Sequence, residues 1–248
     1  MFSNRYIFIY STIMVVVVAV LLALAATLLQ PFQDKNIRVE RMQYILTAIN
    51  VESTVDNAEE LYEKHVTEEL VISVDGEITG RFKDGKMEQG SRRAFDIDLR
   101  TELKKLKDGG AVELPVFIAV NGKDTLTIIP LTGKGLWGPI WGYISLKSDF
   151  TTIFGSVFDH KGETPGLGAE IALPEFQQQF VGKKIFDENG QFVSVQVIKG
   201  GVKNSKIPEI HGVDAISGGT ITSNGASMMI ESSLKMYVPF ISKKISHE

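Results

Sequence analysis

Residues 6–29 read YIFIYSTIMVVVVAVLLALAATLL, with no charged side chain. At 1.5 Å per residue, about 24 helical residues reach about 36 Å, enough to span a bilayer with some tilt. A secretory signal has a shorter apolar core of about 7–15 residues, and the one small-x-small pattern here, Ala23 and Ala25, lies inside the run. Residues 1–30 are therefore expected to be a retained single-pass anchor. Flanking charge does not orient it. Arg5 faces Lys35, Arg38 and Arg41, which Asp34 and Glu40 partly offset, and read literally the balance leans towards a cytoplasmic domain.

Residues 31–248 suffice for one substantial α+β domain. A net charge of -4 and a pI near 5.7 lack the clustered basic footprint of a nucleic-acid binder. With no cysteine, the chain holds no disulfide, cysteine-ligated zinc or iron–sulfur cluster, so redox chemistry would need an organic cofactor or a non-thiolate metal site. His65, His160, His211 and His247 stand singly, with no metal-binding or catalytic motif around them.

Gln30-Pro31 should end the span, with a second helix over 37–49 and another over 55–66. Strands are expected at 69–74 and 77–82 around an Asp75-Gly76 turn, and at 115–120 and 124–131 around Asn121-Gly122, which suits a type I′ turn. Residues 85–93 look like a loop and 101–107 like a short solvated helix. Further strands are expected at 140–146, 151–158 and 191–198, with a short helix opened by Pro174. A C-terminal helix should start near Thr222, Ser223 or Asn224, bury Ile230, Leu234, Tyr237 or Val238, and Ile241, and be kinked or shortened by Pro239. The expected fold is α+β: one N-terminal transmembrane helix, then an antiparallel sheet flanked by helices.

Three glycine-rich stretches stand apart: LTGKGLWGPIWG at 131–142, HKGETPGLGAE at 160–170 and DAISGGTITSNG at 214–225. Glycine at this density lets backbone N–H groups approach a phosphate or a heteroaromatic ring. In the third stretch, Ser217-Gly218-Gly219-Thr220 runs into a helix whose free N–H groups and positive dipole end favour an anion. The Thr220 hydroxyl is placed to bond a phosphate or, if an enzyme activates it, to be esterified to one. The plainer alternative is a flexible turn with a helix cap. Trp137 and Trp141, the only two tryptophans, sit beside glycines and suit either the core or the edge of a ring ligand.

Behind an N-terminal anchor, Gly-Lys-Gly-Leu-Trp at 133–137, Glu-Thr-Pro-Gly-Leu-Gly at 163–168 and Asp-x-x-Ser-Gly-Gly-Thr at 214–220 resemble, in order and over essentially the whole chain, the C subunits of Na⁺-translocating NADH:quinone reductases. The G subunits of Rnf electron-transport complexes share the FMN-binding domain, but the spacing and the tryptophan-bearing first stretch favour the reductase. The resemblance implies FMN joined through its phosphate to Thr220 by a flavin transferase, within a motif formed by Asp214, Ser217, Gly218, Gly219 and Thr220. The family's usual alanine is Gly219 here. By motif position, Gly135, Leu136, Trp137, Glu163, Thr164, Leu167 and Gly168 are ring or ribityl contacts, and Thr222 is a phosphate contact or a helix cap.

The FMN-binding region would cover about 110–240, on the periplasmic side of a bacterial inner membrane. The implied role is to relay electrons from NADH towards ubiquinone or menaquinone within a multisubunit, sodium-pumping complex. No nucleotide-binding G-x-G-x-x-G after a strand and no intramembrane carboxylate run appears, so the NADH and sodium sites belong to partner subunits. Neither a catalytic side chain nor a metal site is expected. Partners are those subunits, the transferase and membrane lipid, not nucleic acid. The rival readings are an Rnf G-type subunit fed by ferredoxin and a non-enzymatic, membrane-anchored binding module.

Overall fold

The computed structural model describes residues 3–246; His247 lies outside them. The chain divides into two units, Met1–Arg41 and Met42–Glu248. In the first, the apolar run lies within α1 (Asn4–Ala48), long and apolar enough to cross a membrane, with a peak window of mean hydropathy 2.9 that is not buried at all. The expected break at Gln30-Pro31 is absent, because Pro31 lies inside the helix. Proline forfeits one backbone bond, at a cost of about 3 kcal/mol, and the strong helix formers on either side carry the helix past it.

The second unit is built on one antiparallel sheet. Its strands are β1 (Val66–Ile72), β2 (Ile78–Lys83), β3 (Lys86–Gln89), β4 (Leu114–Asn121), β5 (Asp124–Lys134), β6 (Pro139–Leu146) and β7 (Ile153–His160), in the order β3-β2-β1-β4-β5-β6-β7. α2 (Ala58–His65) leads into β1, and α3 (Leu99–Lys107) lies between β3 and β4, so that β4 pairs with the free side of β1. Beyond the sheet come α4 (Pro174–Gln177), a short parallel pair of β8 (Gln196–Ile198) with β9 (Gly212–Asp214), and α5 (Thr220–Ile245).

Period-2 alternation sorts the strand residues onto two buried faces. Ile129 pairs with Ile144, and both join Met229, Ile230 and Leu234 of α5 in one core. Their neighbours Ile128 and Ser145 pair on the opposite face, where the Ser145 hydroxyl donates to the Ala48 carbonyl at 2.5 Å. Sandwiched this way, the sheet is stiff enough to hold loops at its ends.

Several boundaries differ from expectation for local physical reasons. Asn121 pairs with Asp124, so the turn residues are Gly122 and Lys123. Positive φ occurs only at Gly122 (64°), the pattern of a II′ turn rather than I′. β3 falls within the expected 85–93 loop because all four of its residues are exposed and no apolar alternation marks it. Only 196–198 of the expected 191–198 strand is formed. Pro239 lies inside α5 without ending it, and Ile230, Leu234, Tyr237 and Ile241 are buried as expected.

Candidate functional site

The three glycine stretches converge at one end of the sheet. The first closes the β5–β6 hairpin, where the Gly135 N–H donates to the Gly138 carbonyl at 2.8 Å and leaves Leu136 and Trp137 at an exposed tip. The second follows β7, whose His160 pairs with Ile140 next to that hairpin. The third enters α5, which starts at Thr220, two residues before its expected start, with Gly219 as a cap that has no side chain to satisfy the first-turn N–H groups.

Glu163 ties the three together. It is 5 % exposed; Oε1 accepts the Trp137 backbone N–H at 2.8 Å, Oε2 accepts the Thr222 hydroxyl at 2.6 Å, and its own N–H donates to His160 Nδ1 at 3.0 Å. Glycine is required around it, since a Cβ on Gly135 would lie 2.5 Å from Oε1 and one on Gly168 2.6 Å from Oε2. The Trp137 indole N–H donates to the Thr164 hydroxyl at 3.2 Å, and the Thr164 carbonyl accepts the N–H groups of Leu167 and Ala169.

These contacts enclose a cavity of about 230 Å³ lined by Leu136, Glu163, Thr164, Leu167, Gly168, Gly218, Gly219, Thr220, Ile221 and Thr222. Gly135 and Trp137 form its outer support rather than its lining. Ser217 and Asp214 line a neighbouring cavity of about 370 Å³ together with Glu170 and Glu175, an acidic setting that disfavours phosphate. The Asp214 carboxylate accepts the Val202 N–H at 2.7 Å and so steadies the turn before β9 instead of facing the first cavity. Trp141 pairs within β6 and does not line the site.

The two threonine hydroxyls differ sharply. Thr222 is buried, lies inside the first turn of α5 rather than at its cap, and donates its hydroxyl to Glu163. Thr220 is half-buried, in the first turn of α5 and on the cavity wall. Gly218, at φ +75, takes a backbone conformation that favours glycine, and a Cβ on Gly219 would come within 3.0 Å of Ile216 and 3.3 Å of the Leu167 backbone. An alanine there needs Ile216 to yield by a few tenths of an ångström, so Gly219 relieves crowding at the motif. Sequence reasoning missed Ile221 as a wall residue. Ser223, expected only as a possible start of the helix, instead accepts the Ile216 N–H with its buried hydroxyl at 3.1 Å and pins the motif loop to the helix.

Residues 135–235, which include all three loops' contacts to this cavity, match the FMN-binding domain family. The C subunit of the Na(+)-translocating NADH-quinone reductase of Neisseria meningitidis is 32% identical over 232 residues, covering 91% of this chain and 88% of its own. The chain belongs to the family of C subunits of Na(+)-translocating NADH-quinone reductases. Another C subunit, from Vibrio vulnificus, is 32% identical over 84% of this chain and 82% of its own. Crystal structures of C subunits agree in fold. That of Parabacteroides distasonis superposes with a TM-score of 0.74 at 40% identity, covering 86% of this chain and 97% of that one, and that of Shewanella oneidensis with 0.66 at 30%, covering 85% and 98%. The expected α+β architecture, a long apolar N-terminal helix before an antiparallel sheet with helices, is the one this chain has, and over the matched part of the chain these C subunits share its fold.

Proposed function

We propose that this chain is the C subunit of a Na⁺-translocating NADH:quinone reductase, carries FMN esterified to Thr220, and relays electrons from NADH towards quinone. The observation that carries the assignment is the contrast between the half-exposed Thr220, at an uncapped helix start on the cavity wall, and Thr222, whose hydroxyl is taken by Glu163. A flavin transferase would join Thr220 Oγ to the FMN phosphorus of FAD as AMP leaves and the hydroxyl proton is lost. The resulting phosphodiester keeps one negative charge, which the first-turn N–H groups of α5 offset.

Bound FMN supplies the electron chemistry, while the chain supplies position and surroundings. Gly168 and Gly218 let Thr222, Glu163 and Leu167 pack closely at the cavity, and Leu136, Leu167 and Ile221 give it an apolar wall. Trp137, 70 % exposed, adds a flat apolar surface at the mouth. Residues 1–30 anchor the protein in the inner membrane lipid, the domain faces the periplasm, and the other subunits supply the NADH and sodium sites.

Intact mass and in-gel flavin fluorescence of denatured protein, co-expressed with a flavin transferase, test the attachment. Wild type and Thr222→Val should fluoresce and Thr220→Ala should not; flavin absent from wild type, with the transferase active on a control substrate, would favour an anchored module that binds its ligand noncovalently. Because the chain has no cysteine, a single Lys203→Cys at an exposed site reports topology cleanly. A membrane-impermeant maleimide should label it in spheroplasts, and protection until lysis would place the domain on the cytoplasmic side. Purification of the tagged chain should bring down NADH:quinone reductase activity; ferredoxin-linked activity in its place would assign the protein to an Rnf complex.

A further inference from the structure

The Glu163 carboxylate is buried without an ion-pair partner among the described residues. The hydrogen-bond partners of its carboxylate are the Trp137 N–H and the Thr222 hydroxyl, both neutral, and no lysine, arginine or histidine among the described residues forms an ion pair with it. The adjacent imidazole, His160, is occupied by the Glu163 backbone N–H. The other deeply buried glutamates are handled differently: Glu69 meets Arg93, and Glu102 meets Arg92 and Lys105. Yet Glu163 lines the same cavity as Thr220.

Loop bracing alone does not require a charge. A glutamine is nearly the same size, and its amide oxygen can accept the Trp137 N–H while its amide N–H donates to the Thr222 oxygen. A charged group in this position therefore has an electrostatic consequence for whatever occupies the cavity. We propose that Glu163 lowers the reduction potential of the flavin held here by opposing each electron added to it. Negative charge gained on reduction meets a fixed negative charge across a poorly hydrated wall, where Coulomb interactions are strong. The α5 N-terminus acts in the opposite sense, and Glu163 offsets it. The flavin is thus kept a stronger donor to the next carrier than the helix end alone would allow.

This inference rests on flavin occupying the cavity, so flavin loading is measured first and separately. Dye-equilibrated spectroelectrochemical titration of flavin-loaded wild type, Glu163→Gln and Glu163→Asp then reads the potential. Protein that the transferase fails to load is reconstituted with free FMN. Glu163→Gln should shift the one-electron equilibrium towards reduction about tenfold, or about 59 mV, and Glu163→Asp should stay near wild type. An unchanged potential in fully loaded Glu163→Gln would overturn the proposal. If that variant does not fold, Thr222→Val decides: it breaks the brace but keeps the charge. A potential near wild type supports the charge role, and a displaced one means that only bracing matters.

Discussion

Two buried carboxylates, Glu69 in the first half of the sheet and Glu163 at the glycine-loop end, have opposite surroundings. Glu69 accepts from the Arg93 guanidinium at 2.5 and 3.3 Å, from the Tyr62 hydroxyl at 3.0 Å and from the Phe95 N–H at 3.0 Å, and Arg93 also stacks 3.8 Å above the Phe82 ring. Burial, and next the Glu69 charge, push the Tyr62 phenol well above its usual range, so it remains a neutral donor. Glu163 has two neutral donors and no cation. The first arrangement spends every lone pair on holding helix, strand and loop in place. The second leaves a net charge facing a cavity, which suits a site that must act on a ligand rather than only hold itself together.

The contrast can be broken by mutation, and the largest expected effect is at the compensated site. Glu69→Ala strands Arg93 and a buried N–H and should cost about 2–4 kcal/mol of unfolding free energy, read by urea denaturation, with flavin content unchanged in the folded fraction. A loss below about 0.5 kcal/mol, the usual size for a neutral surface change, would mean that the network is ornamental.

Next in size is Gly168→Ala, whose Cβ would lie 2.3 Å from Thr222 Oγ1. It should cost about 1–3 kcal/mol and abolish flavin loading, whereas Gly162→Ala, with nothing within 4 Å of its Cβ, should do neither. Equal behaviour of the two would deny that the loops are tightly fitted around Glu163. Glu163→Gln should cost only about 1 kcal/mol by the same denaturation assay, its main effect being on the flavin. A loss as large as that of Glu69→Ala would erase the distinction between the two carboxylates.

The smallest effect concerns acid stability. Burial raises the Glu102 carboxyl, but hydrogen bonds from Lys105, the Glu113 N–H and Arg92 outweigh it and hold the group below the usual range. A carboxyl depressed by folding stabilises the protein above its unfolded pKa of about 4.3, and that stability is lost as pH falls through the lower folded value. Glu102→Gln should therefore be less stable than wild type at neutral pH and converge with it in acid. Parallel curves at all pH values would refute the pairing.

Much of the fold is legible in the residues themselves. The 73–77 hairpin forms around Gly76 at φ +77, as Asp-Gly suggests, and α4 opens on Pro174. At the site, the differences from expectation arise where a neighbour decides. α5 reaches back to Thr220 because the motif loop is held by Ser223 and packs against Leu167, not because of any local cap. The expected site residues separate for the same reason: Asp214 turns to Val202, and Ser217 faces the acidic cavity next door.

The sequence by itself determined that a long uncharged apolar helix precedes the domain, that hairpins and glycine loops recur along it, and that no thiolate chemistry is present, since each follows from local composition and spacing. Only the tertiary structure decided which threonine hydroxyl is open. Glu163 and Thr222 are 59 residues apart in the chain yet share a hydrogen bond of 2.6 Å. A hydroxyl can be modified by an enzyme only where it is accessible, and Thr222 is buried while Thr220 is half-exposed. The Glu163 partner of Thr222 is brought by the packing of α5 against the sheet, beside the loop that follows β7, which no local pattern in the residues encodes.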